Sequence, residues 1–508
     1  MSQTPIQQKI RNKTITAKKW AEMVKDGDWM CSGGPGGDPV VTIEALCQRL
    51  GDGPGQVKNI EVFQTAKSLG GNFFLQYDPE AKWHVVHEDF MMPKMIGPTG
   101  FSQSRDKGYK GMDTMQMGWA IGMNHRFARW YRKEKNKRAI DWGLQPIAKP
   151  EGNFVNASYG VNNWMITAKT CKKFVCEIRD DYAWCTGGRN HVLPIDEVDY
   201  FIEVDTKDPK YQWPKMNERA IKPNAIQQDI AKHVLEIMRD GDCLQVGIGV
   251  LPTAIVVALE DSHLRHLGAH SEMGGEYIFR LTEAGVMDNS RKNIDRGRAA
   301  WSYIIPVDMP RYMEWLHHNP YFAAYDINYV NNFTSLAAID NMVTINNFAE
   351  IDVTGIVCSS KIGDYQFAST GGQFQFHVGA SMSRGGRGIL AATSRAKNGK
   401  SRIVPRLQAG SNVEVQGQLT TWVCTEYGIV NLMGCSDAEK SRLLISIAHP
   451  DDRESLEKEA FGRGLKTRHW MFNVAPDRRY PSADELKDHK FAYNDLITVP
   501  NSLGGIGD

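Results

Sequence analysis

The chain has 508 residues, 42% of them hydrophobic and 10% aromatic, and a formal net charge of +1. That length exceeds what one ordinary core holds and predicts two domains. The near-zero charge gives no global reason for binding nucleic acid or an anionic membrane, and no apolar run reaches the ~18 residues of a spanning helix.

The amino terminus, Met1-Ser2-Gln3-Thr4, opens polar and carries no signal-peptide pattern. A helix is predicted at Ala17–Lys25, followed by the turn Asp26-Gly27-Asp28 and a buried strand, Trp29–Ser32. The loop Gly33-Gly34-Pro35-Gly36-Gly37-Asp38-Pro39 leads into a helix from Val40 to Leu50. From about Met91 to Lys149 the pattern changes. Its first half is rich in methionine and glycine (Met91, Met92, Met95, Met112, Met115, Met117, Met123). Its second half, with the run His125 to Lys133, reads as a basic aromatic helix. We take this stretch as an insertion in the amino-terminal domain, either packing or a lid.

Lys207-Asp208-Pro209-Lys210-Tyr211-Gln212-Trp213-Pro214 is polar and broken by prolines, and it places a boundary between domains 1–215 and 216–508. The first pattern then recurs. A helix from Ile226 to Arg239 is followed by Asp240-Gly241-Asp242, a strand Cys243–Val246, a loop Gly247–Leu251 and a helix opening at Pro252. Each proline is expected at the first position of its helix, where the missing N–H is an orphan anyway. Apolar runs at Ala299–Ile305, Met342–Ile351, Ile356–Ser359, Gly388–Thr393, Ile403–Leu407 and Thr421–Thr425 predict further strands. Helical spacing returns at Ala438–Ile447 and Asp452–Phe461. The expected fold is α/β, two similar open domains with largely parallel sheets.

The nine cysteines are scattered, none in a Cys-x-x-Cys pair, which argues against a disulfide framework and for a cytoplasmic protein. His270-x-Glu272 echoes a zinc deaminase motif, but the Pro-Cys-x-x-Cys half is absent and no metal is implied. The chemistry concentrates instead at Glu272, in Leu267-Gly268-Ala269-His270-Ser271-Glu272-Met273, downstream of the turn Val246-Gly247-Ile248-Gly249-Val250-Leu251-Pro252. A glycine turn offers backbone N–H groups to an anion, and a carboxylate is a nucleophile for acyl groups. Glu426, in Thr-Glu-Tyr-Gly, reads as a structural carboxylate, and His270 as a satisfied structural histidine, the alternative being that it orients Glu272 from the same strand face.

Downstream motifs extend this pattern. They are Gly285-Val286-Met287-Asp288-Asn289-Ser290-Arg291-Lys292, Tyr329-Val330-Asn331, Met342–Asn346, Asp352-Val353-Thr354-Gly355, Gly371-Gly372-Gln373, Ser401–Pro405, Thr425–Gly428 and Ile447–Pro450. With Glu272 and its loop, they make residues 220–460 resemble the acetyl-CoA hydrolase/transferase family, the class I CoA-transferases that include 4-hydroxybutyrate and butyrate-type enzymes. The amino-terminal domain matches more loosely. The resemblance implies the two-domain class I CoA-transferase fold, a homodimer or higher homo-oligomer, and an acyl-CoA:carboxylate CoA-transferase.

By position, Glu272 is then the covalent residue. Gly247, Ile248, Gly249, Val250 and Leu251 line the CoA thioester, Gly371 and Gly372 form a second loop against CoA, and Arg387 stands where the family has a CoA lysine. Coenzyme A is substrate and covalent intermediate, with no permanently bound cofactor. The alternatives are an acyl-CoA hydrolase using the same glutamate and a non-catalytic acyl-CoA-binding protein. The chain departs from the family at Gly274-Gly275-Glu276-Tyr277, and at Ser369-Thr370-Gly371-Gly372 followed by Gln375-Phe376. Those departures point towards an acyl group other than acetate or butyrate.

Overall fold

The computed structural model describes residues 4–32, 37, 39–64, 71–88, 112–114, 140–188, 190–212, 223–247, 249–304, 309–368 and 370–465. The chain forms two compact units. The first takes residues 1–216 and two later returns, Glu272–Gly275 and Ala300–Val330; the second takes the remainder. Composition alone places a single crossing near residue 215, because a polar, proline-broken linker is visible in sequence and a strand that changes unit is not.

The first unit is built on a parallel sheet in the order Tyr200–Glu203, Cys171–Arg179, Ile140–Ala148, Trp29–Ser32, Ile60–Gln64, His84–Glu88, Met112–Thr114. The strand Ile140–Ala148 lies in the middle of it, with every residue but Asp141 buried. This corrects the extent of the insertion: 91–149 ends in a core strand and includes the edge strand Met112–Thr114. Gln145 and Pro146 interrupt the apolar run and hide it, since proline rarely occupies a central strand. The basic aromatic run His125–Lys133 lies outside the described residues. Trp20, from the capped helix Ala17–Met23, packs edge-on against Trp142 at 5.8 Å and anchors this core.

In the second unit the sheet order is Gly428–Asn431, Trp422–Thr425, Arg387–Ala391, Met342–Asn347, Cys243–Val246, Gly268–Gly274, parallel except for the terminal hairpin. From Glu272 onward the last of these strands belongs to the first unit, where Ala299–Ile304, Phe322–Ala324 and Thr186–Gly187 follow in sheet order. The single run expected at Met342–Ile351 is two strands, Met342–Asn347 and Glu350–Asp352. The second belongs to a small sheet with Val357–Cys358 and Ile403–Val404.

The repeated Asp-Gly-Asp turns are the same structure twice. Asp26 Oδ1 accepts the Lys58 N–H at 3.1 Å, and Asp240 Oδ1 the Arg265 N–H at 2.8 Å. Gly27 N–H donates to the Lys58 carbonyl and Gly241 N–H to the Arg265 carbonyl, at 2.9 and 3.1 Å. Asp28 and Asp242 each accept the N–H three residues before them, at 3.0 and 2.7 Å. Both glycines sit at positive φ, 75° and 82°, where a Cβ would be strained. The proline expectation fails in both copies. Pro39 is the N-cap of Val40–Cys47, and Pro252 is the third residue of Val250–Glu260, so neither takes the first helical position.

The second aspartates differ in what else they hold. Asp28 accepts Trp142 Nε1 at 2.8 Å. Asp242 is fully buried against the guanidinium of Arg387, which also donates to the Ile237 carbonyl. Burial pushes the Asp242 carboxyl up to about 6, against the pull of the guanidinium. Removing one partner of such a pair strands the other charge, at about 3–5 kcal/mol. Arg387→Met should therefore lose about that much stability in urea unfolding at pH 7.5. A raised folded pKa means the proton-linked stability is present at low pH and lost as pH rises through it. The deficit of Arg387→Met relative to the unaltered chain should accordingly shrink towards pH 5, where Asp242 is protonated. A loss below ~1 kcal/mol at both pH values would show that the pair is not holding the turn.

Candidate active site

Glu272 is the fifth residue of Gly268–Gly274, a strand buried almost throughout, and is itself 8% exposed. Side chains alternate across a strand, so His270, Glu272 and Gly274 share one face. His270 is fully buried.

Within the first unit the carboxylate meets Tyr303. Burial, then the charge of nearby Glu272, hold the Tyr303 hydroxyl protonated far above its ordinary range. Tyr303 is itself pinned from behind. Ser302 accepts the Asn162 N–H at 3.0 Å, the Ile304 N–H donates to Tyr159 at 3.0 Å, and Gly160 bridges to Tyr303. No motif signals this residue, because Tyr303 stands inside an apolar strand run and only strand pairing brings it to Glu272. Gly274 also has a local cause. A Cβ there would lie 3.0 Å from Trp301 and Ile304, so packing within the unit leaves no room for a side chain at this position.

In the second unit both glycine loops converge on the carboxyl end of Met342–Asn347. A Cβ on Gly247 would lie 2.9 Å from Asn346 Oδ1, and one on Gly249 would lie 3.2 Å from Asn347 Nδ2. From the other side Gln373 Nε2 donates to the Asn347 carbonyl at 2.8 Å. Beneath them Asn346 and Gln245 exchange side-chain hydrogen bonds at 3.1 and 2.9 Å, fixing the floor. Gly249 caps Val250–Glu260 with φ 130°, and Gly372 caps Gln373–Met382 beside Gly371 at φ 50°. Two helix amino termini, each leaving orphan N–H groups, thus stand at the carboxyl edge of a parallel sheet, where open α/β proteins bind ligands.

Two expectations need revision. Gly247 donates its N–H to the Ile345 carbonyl at 2.8 Å, so the anion donors of this loop begin at Gly249, Val250 and Leu251. Ile248 lies outside the described residues. Arg387 is 1% exposed and committed to Asp242, so it supports the fold and does not reach a CoA molecule. Glu426 is structural as read, with Ser394 donating to both its oxygens at 2.8 and 2.6 Å.

Other reactive groups lie apart. Burial pushes the thiols of Cys171 and Cys185 up to about 12 and those of Cys243 and Cys358 to about 11, so none offers a thiolate near neutral pH. Burial also raises Glu177 to about 7, where it accepts the Thr42 N–H at 2.6 Å at the start of Val40–Cys47. Exposed Glu151, His317 and His318 bring ligating atoms within 4.8 Å of one another. His317 Nδ1, however, already accepts the Trp184 N–H at 3.1 Å. No helix among the described residues is long and apolar enough to cross a membrane.

Residues 309–460 match the acetyl-CoA hydrolase/transferase C-terminal domain. The chain is 32% identical over 329 residues to 4-hydroxybutyrate coenzyme A transferase of Clostridium kluyveri, across 64% of this chain and 73% of that one. It is 29% identical over 460 residues to succinyl-CoA:cyclohexane-1-carboxylate CoA transferase of Geobacter metallireducens, across 89% and 96% of the two chains. RipA from Yersinia pestis superposes with a TM-score of 0.78 at 25% identity, over 91% of this chain and all of that one. Motifs, fold and relatives agree, and the chain belongs to the acetyl-CoA hydrolase/transferase family.

Proposed function

We propose that this chain is an acyl-CoA:carboxylate CoA-transferase working by ping-pong exchange through a glutamyl–CoA thioester on Glu272, as a cytoplasmic homo-oligomer. One observation carries the reading: a buried carboxylate at the carboxyl end of a parallel strand, facing a phenol that stays protonated. The transferase names of the relatives support it.

Ionised Glu272 attacks the thioester carbonyl of the donor. The C–S bond breaks, leaving a glutamyl–acyl anhydride and CoA thiolate. The thiolate attacks the glutamyl carbonyl and expels the donor carboxylate, giving the glutamyl–CoA thioester. An acceptor carboxylate attacks the same carbonyl, the thiolate departs, and it then takes the new acyl group from the anhydride, regenerating Glu272. No net proton is consumed, and one hard exchange becomes several easier ones.

Every step passes through an oxyanion. Gly249, Val250, Leu251, Gly371 and Gly372 are the backbone donors we assign to acyl-CoA. Tyr303 acts differently. Its hydroxyl remains beside the Glu272 carboxyl group after that group is acylated, where it can donate to the developing oxyanion.

Incubation with acyl-CoA and no acceptor should add the mass of CoA to the peptide containing Glu272, and borohydride should trap it by reducing the thioester. Glu272→Gln should abolish the adduct and lower transfer by several orders of magnitude with the fold intact. Glu272→Asp retracts the carboxylate, and misplacement on that ~1 Å scale costs about 10²-fold. An adduct on Glu426 or a cysteine would overturn the assignment. Hydrolysis through the same glutamate is separated by the acceptor: thioester loss unaffected by any carboxylic acid identifies a hydrolase.

Tyr303→Phe keeps the ring and loses one oxyanion donor, so turnover should fall about 10²–10³-fold, the usual effect of such a loss. The acyl-CoA KM should hold within about twofold if the hydroxyl acts chiefly in the transition state. A Tyr303→Phe enzyme of unchanged kcat would remove Tyr303 from the chemistry.

A further inference from the structure

The segment Gly285–Lys292 has so far been only a family motif, yet it makes an unusual set of contacts with the strand that carries Glu272. Neither backbone group of Ala269 is left over on the side away from Cys243–Val246. Its N–H donates to Asn289 Oδ1 at 2.8 Å, and its carbonyl accepts Lys292 Nζ at 2.8 Å. The same ammonium donates to the Arg298 carbonyl at 2.7 Å, one residue before Ala299–Ile304, the strand that carries Tyr303. Two residues upstream of Ala269, Leu267 exchanges backbone hydrogen bonds with Val286, Asp288 and Asn289 at 3.0 to 3.1 Å.

Room for this arrangement is built in. Gly268 has no side chain, and a Cβ there would lie 2.7 Å from Lys292 Cγ and 2.8 Å from Cδ. Asn289 is fully buried at φ 57°, a conformation asparagine tolerates better than most residues. Lys292 is 3% exposed, and among the described residues its ammonium contacts two carbonyl oxygens and no carboxylate at ion-pair distance. A buried cation with no carboxylate in direct contact, only the more distant charge of Asp295, is costly, and burial lowers its pKa accordingly. An apolar side chain could fill the volume without that cost. What it could not do is hold two strands at fixed separation by bonding a carbonyl on each.

We propose that Lys292, together with Asn289, is a positioning device for the active site: it sets the spacing and register of the strands bearing Glu272 and Tyr303 by bridging their amino ends. The proposal rests on the reading of Glu272 as the nucleophile. Lys292 touches neither substrate nor the reacting atoms. It acts through Ala269, three residues before Glu272, at about 3.3 Å of strand per residue.

The test is single-turnover formation of the CoA adduct on the Glu272 peptide at saturating acyl-CoA, with the full-length protein. Lys292→Met should place the adduct on the same peptide about 10- to 100-fold more slowly, the range expected for misplacement of up to ~1 Å, with the acyl-CoA KM within about twofold. Asn289→Gly, which keeps the left-handed backbone and removes only the amide, should act in the same direction. It decides the matter if Lys292→Met does not fold. Val415→Ala, in the apolar core of the second unit, controls for lost stability and should leave the rate per folded molecule unchanged. A folded Lys292→Met or Asn289→Gly protein that forms the adduct at the unaltered rate overturns the proposal. So does a defect confined to KM, or an equal fall in Val415→Ala. If the unaltered protein forms no adduct on Glu272, the nucleophile assignment fails first and this proposal falls with it.

Discussion

A buried carboxylate that is anion, anhydride and thioester in turn, as proposed for Glu272, loses the attraction of any cation at each acylation, whereas a neutral donor can keep its hydrogen bond throughout. Glu272 faces a phenol that stays protonated, and it extends from a strand held by hydrogen bonds to backbone and amide groups. The buried cation Lys292 grips the carbonyl oxygens of Ala269 and Arg298, upstream of Glu272 and Tyr303.

The duplicated turns show how such a site arises on a repeated frame. Matching hydrogen bonds at Asp26–Asp28 and Asp240–Asp242 make Ile60–Gln64 the counterpart of Gly268–Gly274, since Glu61 and Gly268 donate equivalently to Asp28 and Asp242. The copies diverge in what grips the turn. A tryptophan indole serves in one and a buried guanidinium in the other. They also diverge beyond it, where the second copy caps Val250–Glu260 with glycine and the first caps Val40–Cys47 with proline. The frame is common to both, and the glycine cap belongs to the second.

Local features are legible in the sequence. Cys243–Val246 has the bounds its pattern predicts, because a short apolar run between a turn and a glycine loop has few other solutions. Glu272 and the loop at Gly249 are marked by chemistry, and Gly371 by the family resemblance. What escapes the sequence depends on pairing across long separations. Arg387 reads as a CoA ligand until Asp242, 145 residues away, claims it. Tyr303 and Lys292 carry no motif that declares their partners. The Ile140–Ala148 strand hides behind Gln145 and Pro146, and the passage of one strand from one unit to the other has no compositional signature.

The covalent path through Glu272 can be read most directly with oxygen isotopes. In turnover with an acceptor acid labelled in both carboxylate oxygens, the acceptor bonds to the glutamyl carbonyl, and the later attack of CoA on the acyl carbon leaves one labelled oxygen behind. The Glu272 peptide should therefore take up one labelled oxygen in the first cycle and approach two over the next few, because each cycle also passes one glutamate oxygen to the released donor acid. Turnover that leaves that peptide unlabelled, or that labels another carboxylate, would contradict the mechanism.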